Sequence, residues 1–246
     1  MSNTTTIAAL SILIVDDSKN HRDAAKALLK GHNLTIASSY DEGVKALSTN
    51  IDYDRLRQLE VEAGLGQYPR EGTDEDKASW RKKSNKLQEQ ARNKPDFDVV
   101  LLDLMMPASR NAQGGKGLDF VGKEMPVGTF LILMALNAGV KNIGMVTDTN
   151  HHHHPASAAL DPINRTVIKV GETRIFATNY PNTQYFDENT GEILTWQFLQ
   201  SEEGKAKYPQ DGYEGDACKY MGAYSGKGWD GILKTLIEGG DNDLGA

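Results

Sequence analysis

Asp98-Val99-Val100-Leu101-Leu102-Asp103 is the run whose reading decides the fold. Its four consecutive aliphatic residues leave no polar face, which is the pattern of a parallel strand covered on both sides. It ends on a carboxylate and continues into Leu104-Met105-Met106-Pro107. Working outward, Ser11-Ile12-Leu13-Ile14-Val15 is a second such run, stopped by Asp16-Asp17-Ser18. Asn142-Ile143-Gly144-Met145-Val146-Thr147 is a third, and it too ends on a hydroxyl and a carboxylate, Thr147 and Asp148. Ala24, Ala25, Leu28 and Leu29 recur at helical spacing as far as Gly31, which supplies a stop. Leu34-Thr35-Ile36-Ala37 reads as a further strand, and Asp41 is placed to cap a helix carrying Val44 and Leu47 on its apolar side. Pro126 leads into a long apolar helix over roughly Thr129 to Ala138. Strands alternating with helices predict an α/β fold, a mostly parallel sheet doubly wound by helices.

Two stretches depart from that alternation. Residues 51–95 are charged and helix-prone, with Leu56, Leu59, Val61, Leu65, Trp80 and Leu87 as their few apolar positions. They predict an inserted helical hairpin turning through Gly66 to Asp74. Past Pro162, Thr166-Val167-Ile168-Lys169-Val170, then Gly171-Glu172-Thr173, then Arg174-Ile175-Phe176-Ala177-Thr178 predict an added β-hairpin with a glycine-containing turn. Asp187 to Tyr213 is polar and turn-rich with Trp196 and Phe198 as anchors, and Trp229, Ile232, Leu233, Leu236 and Ile237 mark a terminal amphipathic helix before a frayed tail, Asp241 to Ala246. The expected organisation is one elaborated domain over 1–246: a core of about 11–50 and 96–160 plus the helix 229–238, a helical insertion of about 51–95, and a hairpin and loop insertion of about 164–216.

With 39% hydrophobic and 25% charged residues the chain has the make-up of a globular protein. A net charge of -7 argues against a nucleic-acid surface, which needs a basic face. The single cysteine, Cys218, excludes an internal disulfide and fits a reducing compartment. Met1 to Leu10 lacks a basic start and a long apolar core, and no apolar run reaches the ~18 residues of a membrane span. A cytoplasmic location without membrane partners is the expectation.

In a doubly wound sheet, sites form at the carboxyl ends of the strands. Here those ends deliver Asp16 and Asp17, Asp103, and Thr147. Three converging carboxylates repel one another unless a hard divalent cation with oxygen ligands shares the site. Magnesium is the natural choice, manganese an alternative, because either leaves coordination positions for phosphoryl oxygens. One carboxylate can then attack a phosphoryl group to form an aspartyl phosphate, with the Thr147 hydroxyl donating to the new anion.

Ile12-Leu13-Ile14-Val15-Asp16-Asp17-Ser18, Leu101-Leu102-Asp103-Leu104-Met105-Met106-Pro107 and Met145-Val146-Thr147, in that order, resemble the three signature segments of response-regulator receiver domains. The resemblance covers about 110 residues, roughly 11–50 and 96–160. It implies a five-stranded, flavodoxin-like α/β fold and a magnesium-dependent switch of a two-component system. It further implies phosphorylation by a histidine kinase or phosphotransfer protein and output through a downstream protein partner. Carried over by position, Asp16 and Asp17 are the acidic pair, Asp103 the phospho-acceptor, the Met105 carbonyl a further metal ligand and Thr147 the switch hydroxyl. Beyond accepting a phosphoryl group and slowly releasing it, no enzymatic activity is implied.

Receivers also bring a lysine to the acceptor. Lys227, ahead of a tryptophan and an apolar helix, is the first choice, with Lys219 and Lys169 as alternatives. His151-His152-His153-His154 follows the strand that ends at Thr147 and reads either as a polar loop or as a second metal site for zinc, nickel or copper. Gly114-Gly115-Lys116-Gly117 lacks the Walker spacing and reads as a flexible loop. Two other functions stay open. One is a pseudo-receiver serving as a protein-interaction module without phosphotransfer. The other is a metal-dependent phosphatase, disfavoured because Asp16 and Asp17 are adjacent where that chemistry wants one residue between.

Overall fold

Residues 8–111, 113–149, 152, 154–179, 182–214 and 217–238 are described in a computed structural model of the chain. It divides into two compact units, Met1–Ala46 with Asp96–Ala246, and Leu47–Pro95. In chain order the larger elements are β1 (Ser11–Val15), α1 (Lys19–Leu28), β2 (Asn33–Ala37), α2 (Tyr40–Leu47), α3 (Tyr53–Glu62), α4 (Asp74–Gln90) and β3 (Val99–Asp103). They continue with α5 (Gly128–Ala138), β4 (Asn142–Val146), β5 (Thr166–Val170), β6 (Thr173–Thr178), β7 (Thr183–Asp187), β8 (Ala223–Lys227) and α6 (Trp229–Glu238).

The central sheet has six strands in the order β2-β1-β3-β4-β6-β5. All neighbours run parallel except β5, which closes the edge antiparallel to β6. β3 lies in the middle and all five of its residues are buried, which is why its sequence carries no alternation. On one face α1 and α6 cover the sheet, packing Ala24, Ala25, Leu29, Trp229, Ile232 and Leu236 over Ile12, Ile14, Val99, Leu101, Val146 and Phe176. On the other, α5 lies over β3 and β4, and α2 meets Val15 and Leu131 through Gly43. Each fully buried aliphatic side chain contributes about 1.5–3 kcal/mol of transfer free energy, so this two-faced core holds the strand ends in register.

The sheet has six strands where five were expected, because the hairpin enters it. In β6 every residue but Arg174 is buried, so both of its faces are covered, whereas β5 is half-exposed or exposed throughout. Alternation in the sequence signals a hairpin but does not say that one of its arms will find a parallel neighbour in β4.

Smaller expectations also change. Asp41 lies inside the first turn of α2, and Ser39 Oγ takes the capping role by accepting from the Glu42 N–H at 3.3 Å. Gly114 to Gly117 leads into a 3-10 helix, Gly115–Phe120. The region after Asp187 is more ordered than its polarity suggests. Short helices Trp196–Gln200 and Glu202–Lys207, a hairpin of Gln210–Glu214 with Ala217–Tyr220, and a strand Ile193–Leu194 beside β7 enclose a small core of Leu194, Leu199, Tyr208, Tyr220 and Ala223. Trp196, expected as an anchor, is half exposed, and Leu199 takes that place. The tail Asp241 to Ala246 lies outside the described residues.

In the second unit Asp52 caps α3 by accepting from the N–H groups of Asp54 and Arg55, and Thr73 with Asp76 forms a capping box on α4. Leu56, Leu87 and Ala91 make its core, with Ile51, Leu59 and Leu65 around them. Trp80 ties the connecting turn to α4, donating Nε1–H to the Gly66 carbonyl at 2.8 Å. Among the described residues no helix is long and apolar enough to cross a membrane.

Candidate functional site

Parallel register performs the first step of assembly. Val15 is paired with Leu102, so Asp16 follows at the level of Asp103; Asp103 is paired with Val146, so Thr147 comes one step beyond. One carboxylate oxygen each from Asp16, Asp17 and Asp103 lies within 4.8 Å of the others. Asp16, Asp103 and Thr147 are buried and Asp17 is half-buried. Asp16 is held by its own loop: Oδ1 accepts from the Ser18 N–H at 2.9 Å, and its carbonyl accepts from Arg22 Nη1 at 2.8 Å. Asp103 Oδ1 accepts from the Met105 N–H at 3.2 Å. Thr147 Oγ1 accepts from the Thr149 N–H at 3.2 Å, which leaves its own proton to donate.

Lys227 completes the cluster. Its side chain is 1% exposed, with Nζ 2.8 Å from Asp16 Oδ2 and 2.9 Å from Asp103 Oδ2. It comes from β8, which belongs to a three-stranded antiparallel sheet with β7 and Ile193–Leu194 and not to the central sheet. The strand reaches the site by lying directly on α1. A Cβ at Gly226 would stand 2.4 Å from Ala24 Cβ, so only glycine permits this approach. Gly128, at the start of α5, plays the same part on the other side, where a Cβ would stand 2.1 Å from the Asp103 carbonyl oxygen.

Charge in the cluster is unevenly shared. Burial pushes the Asp103 carboxyl well above its usual range, with Lys227 opposing and Asp16 adding to the rise. Burial and then the charge of Asp16 raise Asp17. For Lys227, burial disfavours the ammonium, but attraction to Asp103 and Asp16 outweighs it and keeps the lysine charged. Burial likewise opposes ionisation of Asp148, and Lys227 together with a hydrogen bond from His21 overcomes it and holds that carboxyl below the usual range.

Compared with known proteins, the chain matches no family model, no curated protein and no solved structure. The site is therefore read from its own geometry.

Among the lysines named from the sequence, Lys227 reaches the carboxylates; Lys219 and Lys169 are exposed and pair with none of them. In the histidine run, His154 Nδ1 accepts from the Ala156 N–H at 3.1 Å and caps the short helix Pro155–Ala158, while His151 and His153 lie outside the described residues. Two participants, His21 and Glu124, carry no signal in the sequence, and Asp148 is legible there only as the carboxylate after Thr147. His21 Nε2 lies 2.9 Å from Asp148 Oδ2, and its carbonyl accepts from Trp229 Nε1 at 2.9 Å. Asp148 Oδ1 is 3.9 Å from Lys227 Nζ. Glu124, in a two-residue strand paired with Met106–Pro107, is raised by partial burial and then by the charges of Asp17 and Asp148. A lone histidine in a polar helix and a glutamate in a loop look ordinary until distant segments meet.

Proposed function

We propose that this chain is a phospho-accepting receiver of a two-component signalling system, with a flavodoxin-like core, phosphorylated on Asp103. The observation that carries the reading is the bridge of Lys227, from the neighbouring antiparallel sheet, between Asp16 and Asp103, beside a half-buried third carboxylate and a buried threonine, with the three carboxylates and the threonine at the carboxyl ends of parallel strands. The donor set fits a hard divalent cation, since all three side chains offer oxygen and two of them are raised by burial and mutual repulsion that a dication relieves. Asp16, Asp17 and Asp103, with the Met105 carbonyl, would hold magnesium or manganese, and the ion when bound supplies charge neutralisation for the phosphoryl oxygens.

The residues of the chain do the rest. A carboxylate oxygen of Asp103 attacks phosphorus, and the bond from phosphorus to the donor's leaving atom breaks. That atom, the imidazole nitrogen of a phosphohistidine or the acyl-side oxygen of acetyl phosphate, keeps the electron pair. The Lys227 ammonium, already oriented, compensates the charge that arrives on the acceptor. The Thr147 hydroxyl donates to a phosphoryl oxygen and follows it, which transmits phosphorylation to β4 and its neighbours. The donor would be a histidine kinase or phosphotransfer protein and the output a protein contact, in a cytoplasmic setting. A pseudo-receiver acting only as an interaction module would be favoured by a site that no ammonium reaches, and Lys227 argues against it.

The test uses acetyl phosphate or beryllofluoride with magnesium on the full chain. Wild type is expected to take up the group and Asp103→Ala to take up none. Equal uptake by both proteins rejects the assignment.

A further inference from the structure

A concavity of about 760 Å³ opens between α1 and the antiparallel part of the first unit. That volume is in the range of small-molecule sites. Lys19, Asp23 and Lys26 follow one another at i, i+4 and i+7 on one face of α1, which forms a wall of the cleft, and Lys30 extends that wall from the turn after the helix. Lys219 stands in the opposite wall, beside the turn Glu188 to Gly191 and the segment Cys218 to Ser225. Four lysines thus face two carboxylates, Asp23 and Glu188, in a chain whose net charge is -7. Asp23 is shared between Lys19 at 2.7 Å and Lys26 at 2.8 Å. Among the described residues, no ion pair engages Lys30 or Lys219.

Contacts within the protein hold the walls in shape. Tyr224 stacks on Phe186 with ring centroids 5.1 Å apart and planes 15° from parallel, and Tyr220 is fixed by Gln200 Nε2 at 3.0 Å. Lys19 and Lys26 both reach one carboxylate, that of Asp23, while Lys219 faces them from the opposite wall. Charges set on two facing walls outnumber what a single phosphate needs. They match a ligand that carries several, and the stacked ring offers a flat surface for a base.

We propose that this cleft binds a small molecule with two or more phosphoryl groups, of the pyrophosphate or nucleoside-polyphosphate class, with Lys26, Lys30 and Lys219 engaging the phosphoryl oxygens. The cleft shares no residue with the carboxylate cluster, so the proposal stands apart from the phospho-acceptor reading. β8 connects them physically: it lines the cleft through Ser225 and delivers Lys227 two residues later.

Cys218 lines the cleft and is the single thiol of the chain, so its rate of modification by a maleimide reports occupancy. With EDTA present, pyrophosphate and ATP are expected to slow that modification saturably, and orthophosphate to require on the order of tenfold higher concentration. The exposed double variant Lys26→Glu with Lys30→Glu, checked for its fold by circular dichroism, should weaken both ligands about tenfold or more. Asp23→Asn should tighten them by freeing Lys19 and Lys26, and Asp103→Ala should leave them unchanged. The proposal is overturned by absence of protection from both ligands or by equal protection in the lysine variant. It is also overturned by loss in Asp103→Ala, or by a glutamate-rich peptide that protects at lower concentration than pyrophosphate.

Discussion

Removing the ammonium of Lys227 would leave Asp16 and Asp103 buried and facing one another without a cation. Truncating one partner of a buried charge cluster costs about 3 kcal/mol or more, and Lys227→Met should lose that much in urea unfolding at neutral pH. Because burial already raises Asp103, the folded variant takes up a proton more readily than the unfolded chain. Its deficit should therefore shrink as pH falls through the folded value. A variant as stable as wild type at neutral pH would mean that the two carboxylates are not coupled to the lysine. Asp187 offers the opposite case. The Tyr208 hydroxyl, then the N–H groups of Thr190 and Asn189, donate to it and hold its carboxyl down at about 2. A depressed folded value gives stability that is complete above the unfolded value of 3.8 and is lost as pH falls through about 2. Replacing Asp187 with Asn should flatten that acid limb in pH-dependent unfolding, and an unchanged limb would assign it to other carboxylates.

Among the elements, β8 matters most for the site and was hardest to anticipate. Lys227 was legible only through its place before Trp229 and an apolar helix; that its strand would lie on α1, outside the central sheet, depended on Gly226 and Ala24 touching across the packed layers. Gly226→Ala should cost about 1–3 kcal/mol by overpacking and should also weaken beryllofluoride uptake by moving Lys227. Pairing it with Ala24→Gly should restore both, and a double variant no better than the single one would show that the contact is not what positions the lysine. By contrast β1, β3 and β4 were plain from their aliphatic runs, since strands covered on both sides have little other composition open to them. In the second unit, Thr73→Ala should remove about 1 kcal/mol from α4, read as faster hydrogen exchange over its first turns; unchanged exchange would mean that the capping box contributes nothing there.

For the whole molecule, three raised or crowded carboxylates at one end of the sheet predict that magnesium raises the thermal midpoint, by an amount that grows with the logarithm of its concentration above the dissociation constant. Asp17→Asn should reduce that rise and Asp103→Asn should abolish most of it; equal rises in all three proteins would place the ion elsewhere. The hairpin acts at this scale too. β6 pairs in parallel with β4 and, with β5, makes the sheet six strands wide, a pairing that its local alternation does not specify.

From the sequence alone came the hydrophobic periods, the carboxylates that end three strands and the order in which those strands follow, because each depends on residues adjacent along the chain. Tertiary structure alone decided that Lys227 closes the cluster from a separate sheet, that His21 meets Asp148, and that four lysines share a cleft with a tyrosine. Those meetings join residues as much as 211 positions apart, and a contact of that span is fixed by which layers pack together, which no local pattern encodes.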